Sequence, residues 1–237
     1  MSYHIYCLNG NTKITERITT SFRTANIINQ VTFNQGYQYE EISNWYGIND
    51  RDQLHNLVCT LGHAKSIELF LRSPFEYGIL CEDDIVIHRD IKTIIPQGVE
   101  MMKRHRLDVL LMGYLLRDRS VLKAKLSDQC YRFAGNNISG VQMFMLTRAR
   151  ASWLFHNLYR YPIEVHPIIH ADAYYTNTGT RAALYSIVGF HFEVLMITSF
   201  ILNVDPIISL MIMYKKLKSN ICHYKCSVNG DVMMVLN

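Results

Sequence analysis

The run Tyr77-Gly78-Ile79-Leu80-Cys81, followed at once by Glu82-Asp83-Asp84, constrains this chain more than any other stretch. A short apolar run bounded by polar residues reads as a strand covered on both faces, the kind that builds parallel sheets. In open α/β sheets a ligand sits just beyond the carboxyl ends of the strands, and that is where the three acids fall. Two unit charges about 4 Å apart at an effective dielectric near 20 interact by roughly 4 kcal/mol. Three adjacent carboxylates therefore repel one another unless something offsets them. A divalent cation does this best, because hard cations take oxygen ligands and commonly share a carboxylate shell with phosphate oxygens. The sequence thus points to a metal–diphosphate site at Glu82 to Asp84; the plainer alternative is a solvated acidic turn after a strand.

The rest of the composition allows such a fold. A chain of 237 residues, 49% hydrophobic, is long enough to bury a real core as one large domain or a domain with an appendage. A net charge of +4 is too small to argue for a nucleic-acid partner. The short basic runs Lys103-Arg104-His105-Arg106 and Lys215-Lys216-Leu217-Lys218 read as solvated helix faces. The six cysteines are scattered, and three stand inside apolar runs, as reduced core thiols do. Cys222-His223-Tyr224-Lys225-Cys226 has no second pair to complete a zinc site. With no basic leader and no long apolar segment at the start, the expected setting is a reducing compartment, the cytoplasm, without a signal peptide.

Along the chain, Tyr3 to Leu8 reads as a strand and Asn9-Gly10-Asn11 as a turn. Ile14, Ile18 and Phe22 recur every fourth residue, which predicts an amphipathic helix from Thr12 to about Ile28. Strand, tight turn and helix open a βαβ unit. Gln30 to Phe33 suits a second strand, and Asn34 to Asp52, rich in Gly, Tyr and Asn, a long surface loop. Asp52 to Arg72 is helical and stops at Ser73-Pro74; His63 falls within its apolar spacing, where a core or capping role competes with a ligand role. Asp90 to Arg106 is a helix kinked or interrupted at Pro96. Asp108 to Met112 and Val141 to Leu146 are strands, with a loop or small hairpin over 114–137 between them. Thr147 caps a helix to about Tyr159 with Ala149, Trp153 and Leu154 inward, and Ala183 to Val188 is a last strand.

His166-Pro167-Ile168-Ile169-His170-Ala171-Asp172 is the second chemically loaded stretch. Pro167 argues against a regular helix, so the side chains are read as a metal shell, a general base, or a polar loop with a capping Asp. Val194 to Met213 is apolar and long enough to span a bilayer. Asn203, Asp205 and Pro206 interrupt it, and an Asp near the centre of a membrane helix costs about 2.5 to 3.5 kcal/mol. Two short elements packed on the domain fit better than an anchor. The expected division is a domain over 1–192 and an apolar appendage over 193–237.

Several of these pieces together resemble glycosyltransferase family 25, which includes lipopolysaccharide-biosynthesis glycosyltransferases and collagen galactosyltransferases. The resemblance lies in Val58-Cys59-Thr60-Leu61-Gly62-His63-Ala64-Lys65-Ser66 and in Tyr77 to Asp84, similar to a Gly-Cys-x-x-Ser-His helix start and a strand ending in Glu-Asp-Asp. Weaker matches are Tyr6-Cys7-Leu8-Asn9 with Arg17, Asp108 to Gly113, Gly140 to Leu146, and His170-Ala171-Asp172 with Tyr174, in the family's order over roughly 3–190. Val58 stands where the family has Gly, Gly62 where it has Ser, and Cys81 where an apolar residue, usually Leu, precedes the acids.

The resemblance implies a GT-A type fold: a single α/β domain with a Rossmann-like, mostly parallel sheet and helices on both faces. It implies transfer of a sugar from a nucleotide-sugar donor, such as a UDP-sugar, to a glycan or protein hydroxyl, with Mn²⁺ (or Mg²⁺) as the metal. On that reading Asp84 and Glu82 hold the cation, with His170 as a further ligand. Asn9, Arg17, His63, Glu82 and Asp83 face the donor, and Asp172 deprotonates the acceptor. His63 has the alternative role of orienting the acids. Two other readings stand beside it: a catalytically impaired nucleotide-sugar-binding module on the same fold, and a metal-using nucleotidyltransferase. The chain has no Walker-type phosphate loop.

Overall fold

The computed structural model describes residues 2–9, 12–88, 90–112, 115–116, 122–127, 130–133, 138–139, 142–158, 181–184, 188–190, 225–228 and 231–234. In chain order the elements are β1 (Tyr3–Asn9), α1 (Thr12–Thr24), β2 (Val31–Gln35), α2 (Tyr39–Tyr46), α3 (Arg51–Arg72), β3 (Tyr77–Glu82), β4 (Ile85–Ile87), α4 (Ile91–His105) and β5 (Val109–Leu111). Then come β6 (Leu115–Leu116), β7 (Leu122–Ser127), β8 (Cys130–Phe133), β9 (Ile138–Ser139), β10 (Met143–Thr147), α5 (Arg148–Leu158), β11 (Arg181–Leu184), β12 (Val188–Phe190), β13 (Lys225–Val228) and β14 (Asp231–Met234).

The central sheet has eight strands in the order β2-β1-β3-β10-β5-β11-β8-β7. β2, β1, β3, β5, β11 and β7 run one way, and β10 and β8 run against them. The expected α/β fold, a Rossmann-like and mostly parallel sheet, is what the chain adopts. Alternate residues of the strands pack opposite layers. On one face Ile5, Cys7, Ile79, Cys81, Met143 and Met145 meet Ile18 and Phe22 of α1 and Ile95, Val99 and Met102 of α4. On the other, Tyr6, Leu80, Phe144 and Leu146 meet Ile67 and Phe70 of α3 and Ala151 and Leu154 of α5. Helices thus cover both faces, and β3 is buried from Tyr77 through Cys81, as its unbroken apolar run requires.

Local chemistry sets the helix limits. Asp50 caps α3 by accepting from Gln53 N–H at 2.8 Å. At the other end the Ser73 hydroxyl donates to the Phe70 carbonyl at 2.7 Å just before Pro74. The Thr147 hydroxyl accepts from Arg150 N–H at 3.2 Å, as expected of the cap of α5. α2 closes with Gly47 at φ 63°, a left-handed conformation that glycine adopts without strain.

Several sequence expectations change, and others gain detail. α1 ends at Thr24 rather than near Ile28, and the strand expected as the last, over Ala183 to Val188, is β11 at Arg181–Leu184, with β12, β13 and β14 after it. The stretch 34–52 is not loop throughout: it holds α2, whose entry is a capping box between Gln38 and Glu41. α4 is not interrupted at Pro96, the second of the two outcomes expected there. On α5 only Leu154 of the three residues named as inward is buried; Ala149 and Trp153 face solvent, and Arg150 stacks over the Trp153 ring at 4.9 Å. The hairpin expected within 114–137 is present as β7–β8, and it joins the main sheet through β11. The domain boundary near residue 192 and the stretch 194–213 lie outside the described residues. Among those described, no helix is long and apolar enough to cross a membrane.

One side chain holds the entry to the central strand. Arg148 Nε donates to the Phe75 carbonyl at 3.0 Å, Nη1 to Leu71 at 2.8 Å and Nη2 to Phe70 at 3.3 Å. A planar fork can satisfy several carbonyls at once; an ammonium cannot do so in the same geometry. Arg148→Ala is therefore expected to lower unfolding free energy by about 3 kcal/mol, with Arg148→Lys recovering only part. Urea titration would show this as a fall in midpoint at constant slope.

Candidate functional site

Parallel pairing of β1 with β3 sets Leu8 opposite Glu82, and pairing with β2 sets Asn9 opposite Gln35. The carboxyl ends of the three strands therefore finish level. Asn34, buried at the end of β2, is tied to α3 by bonds from its amide to Ser66 Oγ at 3.1 Å and the Gly62 carbonyl at 3.4 Å. Leu8 fills the space between β2 and α3. A Cβ added at Gly62 would lie 2.8 Å from Leu8 Cδ2, and one at Gly36 would lie 3.2 Å from Leu8 Cδ1. The absence of a side chain at Gly62, where the resembled family has Ser, lets α3 approach the end of β1.

The acids stand on this rim. Glu82 ends β3, and its N–H donates to the Gln142 carbonyl at 3.0 Å, so the residue that precedes β10 fixes its backbone. Its carboxylate lies 3.2 Å from His63 Nε2. His63 is fully buried on α3, against the Phe144 ring. The structure places this imidazole behind Glu82, within hydrogen-bond distance of the carboxylate. Asp83 and Asp84 form the turn that leads into β4, which pairs with β12. Arg17, on α1, donates from Nη2 to the Asp83 carbonyl at 2.9 Å. Asn9 carries the neighbouring corner, its carbonyl accepting from Gly36 N–H at 3.1 Å. The acid turn, Arg17, Asn9 and His63 thus come together. His170 and Asp172 lie outside the described residues.

The electrostatics are those of a crowded anionic turn. Asp84 is an exposed residue, yet its carboxyl is pushed up from 3.8 to about 6 by partial burial and by the charges of Glu82 and Asp83. A backbone hydrogen bond and Arg17 offset part of this. Beneath the turn, Cys7 and Cys81 are register partners on β1 and β3. A hydrogen bond to Cys81, then burial, then the nearby Asp83 and Asp84 push the Cys7 thiol well up, so it stays protonated. Sequence reasoning missed this pair and the Gln142 contact. Both depend on strand register, which no local pattern specifies.

Among the described residues, no group of three or more His, Cys, Asp or Glu side chains converges to enclose a metal ion. Ions of the Mg²⁺ or Mn²⁺ type are commonly held by one or two carboxylates with water and phosphate completing the shell, so Glu82 and Asp84 could hold one without a closed protein cage. Asp84 offers a carboxylate whose charged form the fold disfavours, a penalty that a bound cation would relieve.

A raised carboxyl has a definite stability signature. The neutral form of Asp84 favours the folded state, so its contribution is fully present below pH 3.8 and is lost as pH rises through about 6. Asp84→Asn is therefore expected to raise the melting temperature of the metal-free protein at pH 7.5 and to match wild type near pH 3.5. Thermal melts at the two pH values check it.

No family model matches the chain, and no curated protein matches it. Among solved structures it is similar to mannose-1-phosphate geranyltransferase from Thermus thermophilus, at 9% identity and a TM-score of 0.47, with 81% of this chain and 76% of that chain covered. It is also similar to HddC from Yersinia pseudotuberculosis, at 10% identity and a TM-score of 0.43, with 80% of this chain and 93% of that chain covered.

Proposed function

We propose that the chain is a glycosyltransferase that moves a sugar from a nucleotide-sugar donor, of the UDP-sugar kind, to a hydroxyl of a glycan or protein. The observation that carries this reading is the meeting of Glu82-Asp83-Asp84 with Arg17 and the end of β1 at the carboxyl edge of the sheet. An acid turn alone suits a cation; an acid turn with an adjacent guanidinium suits a cation and a diphosphate together.

Each residue has a separate task. Asp84 presents the carboxylate that would hold Mn²⁺ or Mg²⁺, and Glu82 is a second ligand directly or through water. When bound, the cation supplies Lewis-acid stabilisation of the charge on the leaving diphosphate. His63 keeps Glu82 in one orientation, a positioning role that accords with its burial. Arg17 steadies the turn through the Asp83 carbonyl and supplies positive charge for a phosphate oxygen. Asn9 and Asp83 are proposed to meet the nucleoside side of the donor. Asp172 is proposed to take the proton of the acceptor hydroxyl, and His170 to add to the metal shell; these two roles rest on the sequence pattern alone.

The test is Asp84→Ala, followed by sugar transfer across a panel of nucleotide sugars and by calorimetric binding of UDP with and without Mn²⁺. Transfer is expected to fall by at least about 100-fold, since Lewis-acid stabilisation is worth several kcal/mol, and the Mn²⁺-dependent part of UDP binding is expected to vanish. In the wild type that part should weaken as pH drops below about 6, because a proton then competes at Asp84. Full retention of transfer and binding in the variant would overturn the assignment. Mn²⁺-dependent UDP binding by the wild type with neither transfer nor donor hydrolysis would mark a binding module instead.

A further inference from the structure

A second chemically competent cluster stands in the first half of α3, its thiol partly buried against the layer that holds Ile67 and Phe70, and it owes nothing to the acid turn. His55 and Cys59 are one helical turn apart, and Cys59 Sγ lies 3.8 Å from His55 Nε2. Tyr39, the first residue of α2, places its hydroxyl 2.6 Å from His55 Nδ1 with its ring stacked on the imidazole at 6.2 Å and 16°. A thiol beside one imidazole nitrogen, with an oxygen fixing the other, is the arrangement that activates a nucleophile. We propose that Cys59 is a nucleophilic thiol served by His55 and Tyr39, and a site of reversible mixed-disulfide formation with small disulfides of the glutathione type.

Position separates this thiol from the others whose surroundings are described. Cys7, Cys81 and Cys130 have no exposed surface, whereas Cys59 is partly exposed and His55 is open to solvent. Buried thiols are inert because reagent cannot reach them and burial disfavours the thiolate. Tyr39 keeps its phenolic proton, its pKa raised by burial and then by Cys59, while Arg51 acts the other way. The proposed step uses the His55 tautomer that donates its Nδ1 proton to the Tyr39 oxygen, which leaves the Nε2 lone pair facing Sγ. Cys59 also belongs to the helix segment that carries the family resemblance, yet no part of the proposed transfer chemistry uses it.

The step balances without another participant. The Cys59 S–H proton passes to His55 Nε2, and the thiolate attacks one sulfur of the disulfide R–S–S–R. The Cys59–S–S–R bond forms as the reagent S–S bond breaks. The leaving thiolate R–S⁻ takes the proton from His55 and departs as R–SH. The Cys59 sulfur is oxidised and one reagent sulfur is reduced. Excess small thiol reverses the step.

The experiment treats the full chain with glutathione disulfide at pH 7 and follows the adduct on the Cys59 peptide by mass spectrometry. Peptide mapping separates it from Cys222 and Cys226, and Cys59→Ser confirms the peptide assignment. The adduct is expected to form about tenfold faster than on free cysteine, as for a thiol with an adjacent base. His55→Gln should bring the rate down to that of free cysteine. Tyr39→Phe, which keeps the ring stack, should lower it about threefold through loss of the oriented tautomer. Circular dichroism of each variant establishes that the helices are intact. A wild-type rate no faster than free cysteine overturns the proposal, and so does an unchanged rate in either variant.

Discussion

Parallel pairing of β1 with β3 is the constraint on which the rest of the molecule depends. It brings the end of the first strand level with the end of the buried central strand, so that Leu8 faces Glu82 across the ladder. A shift by one residue would turn every side chain of β1 to the opposite layer. Ile5 and Cys7 would then leave the layer of α1 and α4, and Tyr6 would leave that of α3 and α5. The two cores therefore lock the register, and the register places Asn9 beside the acids. Arg17 then follows from α1 packing Ile18 and Phe22 onto the same layer.

This arrangement concentrates negative charge where packing alone would not ask for it. Glu82 is accommodated by a fully buried imidazole and Asp83 by an arginine on its carbonyl, whereas Asp84 is left with a disfavoured charge. Local destabilisation of this kind is common where a protein keeps a group ready for a ligand, and the cost is carried by the rest of the fold. Here the compensation is visible: Gln142 holds the backbone of Glu82, and Arg148 holds the segment through which α3 feeds β3. The turn thus has a buried partner for its first carboxylate and a guanidinium on the backbone carbonyl of its second residue.

The parts legible in sequence were those encoded locally. The apolar run at Tyr77, the fourfold recurrence of Ile18 and Phe22, the Ser73-Pro74 stop and the Thr147 cap each describe a segment by itself, and each matches the structure. α2 was hidden because Tyr, Asn and Trp are poor helix formers and its stability comes from a capping box and from Ile42 packing on Leu54, Leu57 and Leu61. The reversed direction of β10 was hidden because an interior strand is apolar whichever way it runs. At the site, the acids announced themselves. The meeting of His63 with Glu82 stood there only as the alternative to a donor contact, because helical spacing by itself marks His63 as a core position, and a core position is what it occupies. His170 and Asp172 remain inferences from pattern.

The same helix explains why so many roles crowd into one segment. α3 is long, and its sides meet different surroundings. Ile67 and Phe70 pack the sheet, Ser66 ties down β2 through Asn34, Gly62 admits Leu8, and His63 meets Glu82. Phe70 constrains the strand too, since a Cβ at Gly78 would lie 2.5 Å from its ring. Residues four apart share a face, so the spacing that buries His63 and Ile67 also stacks His55 and Cys59 on the line that begins one turn earlier. That line runs from the half-exposed start of the helix into its buried middle. The His55–Cys59 contact at its start and the His63–Glu82 contact in its middle are thus carried by one helix.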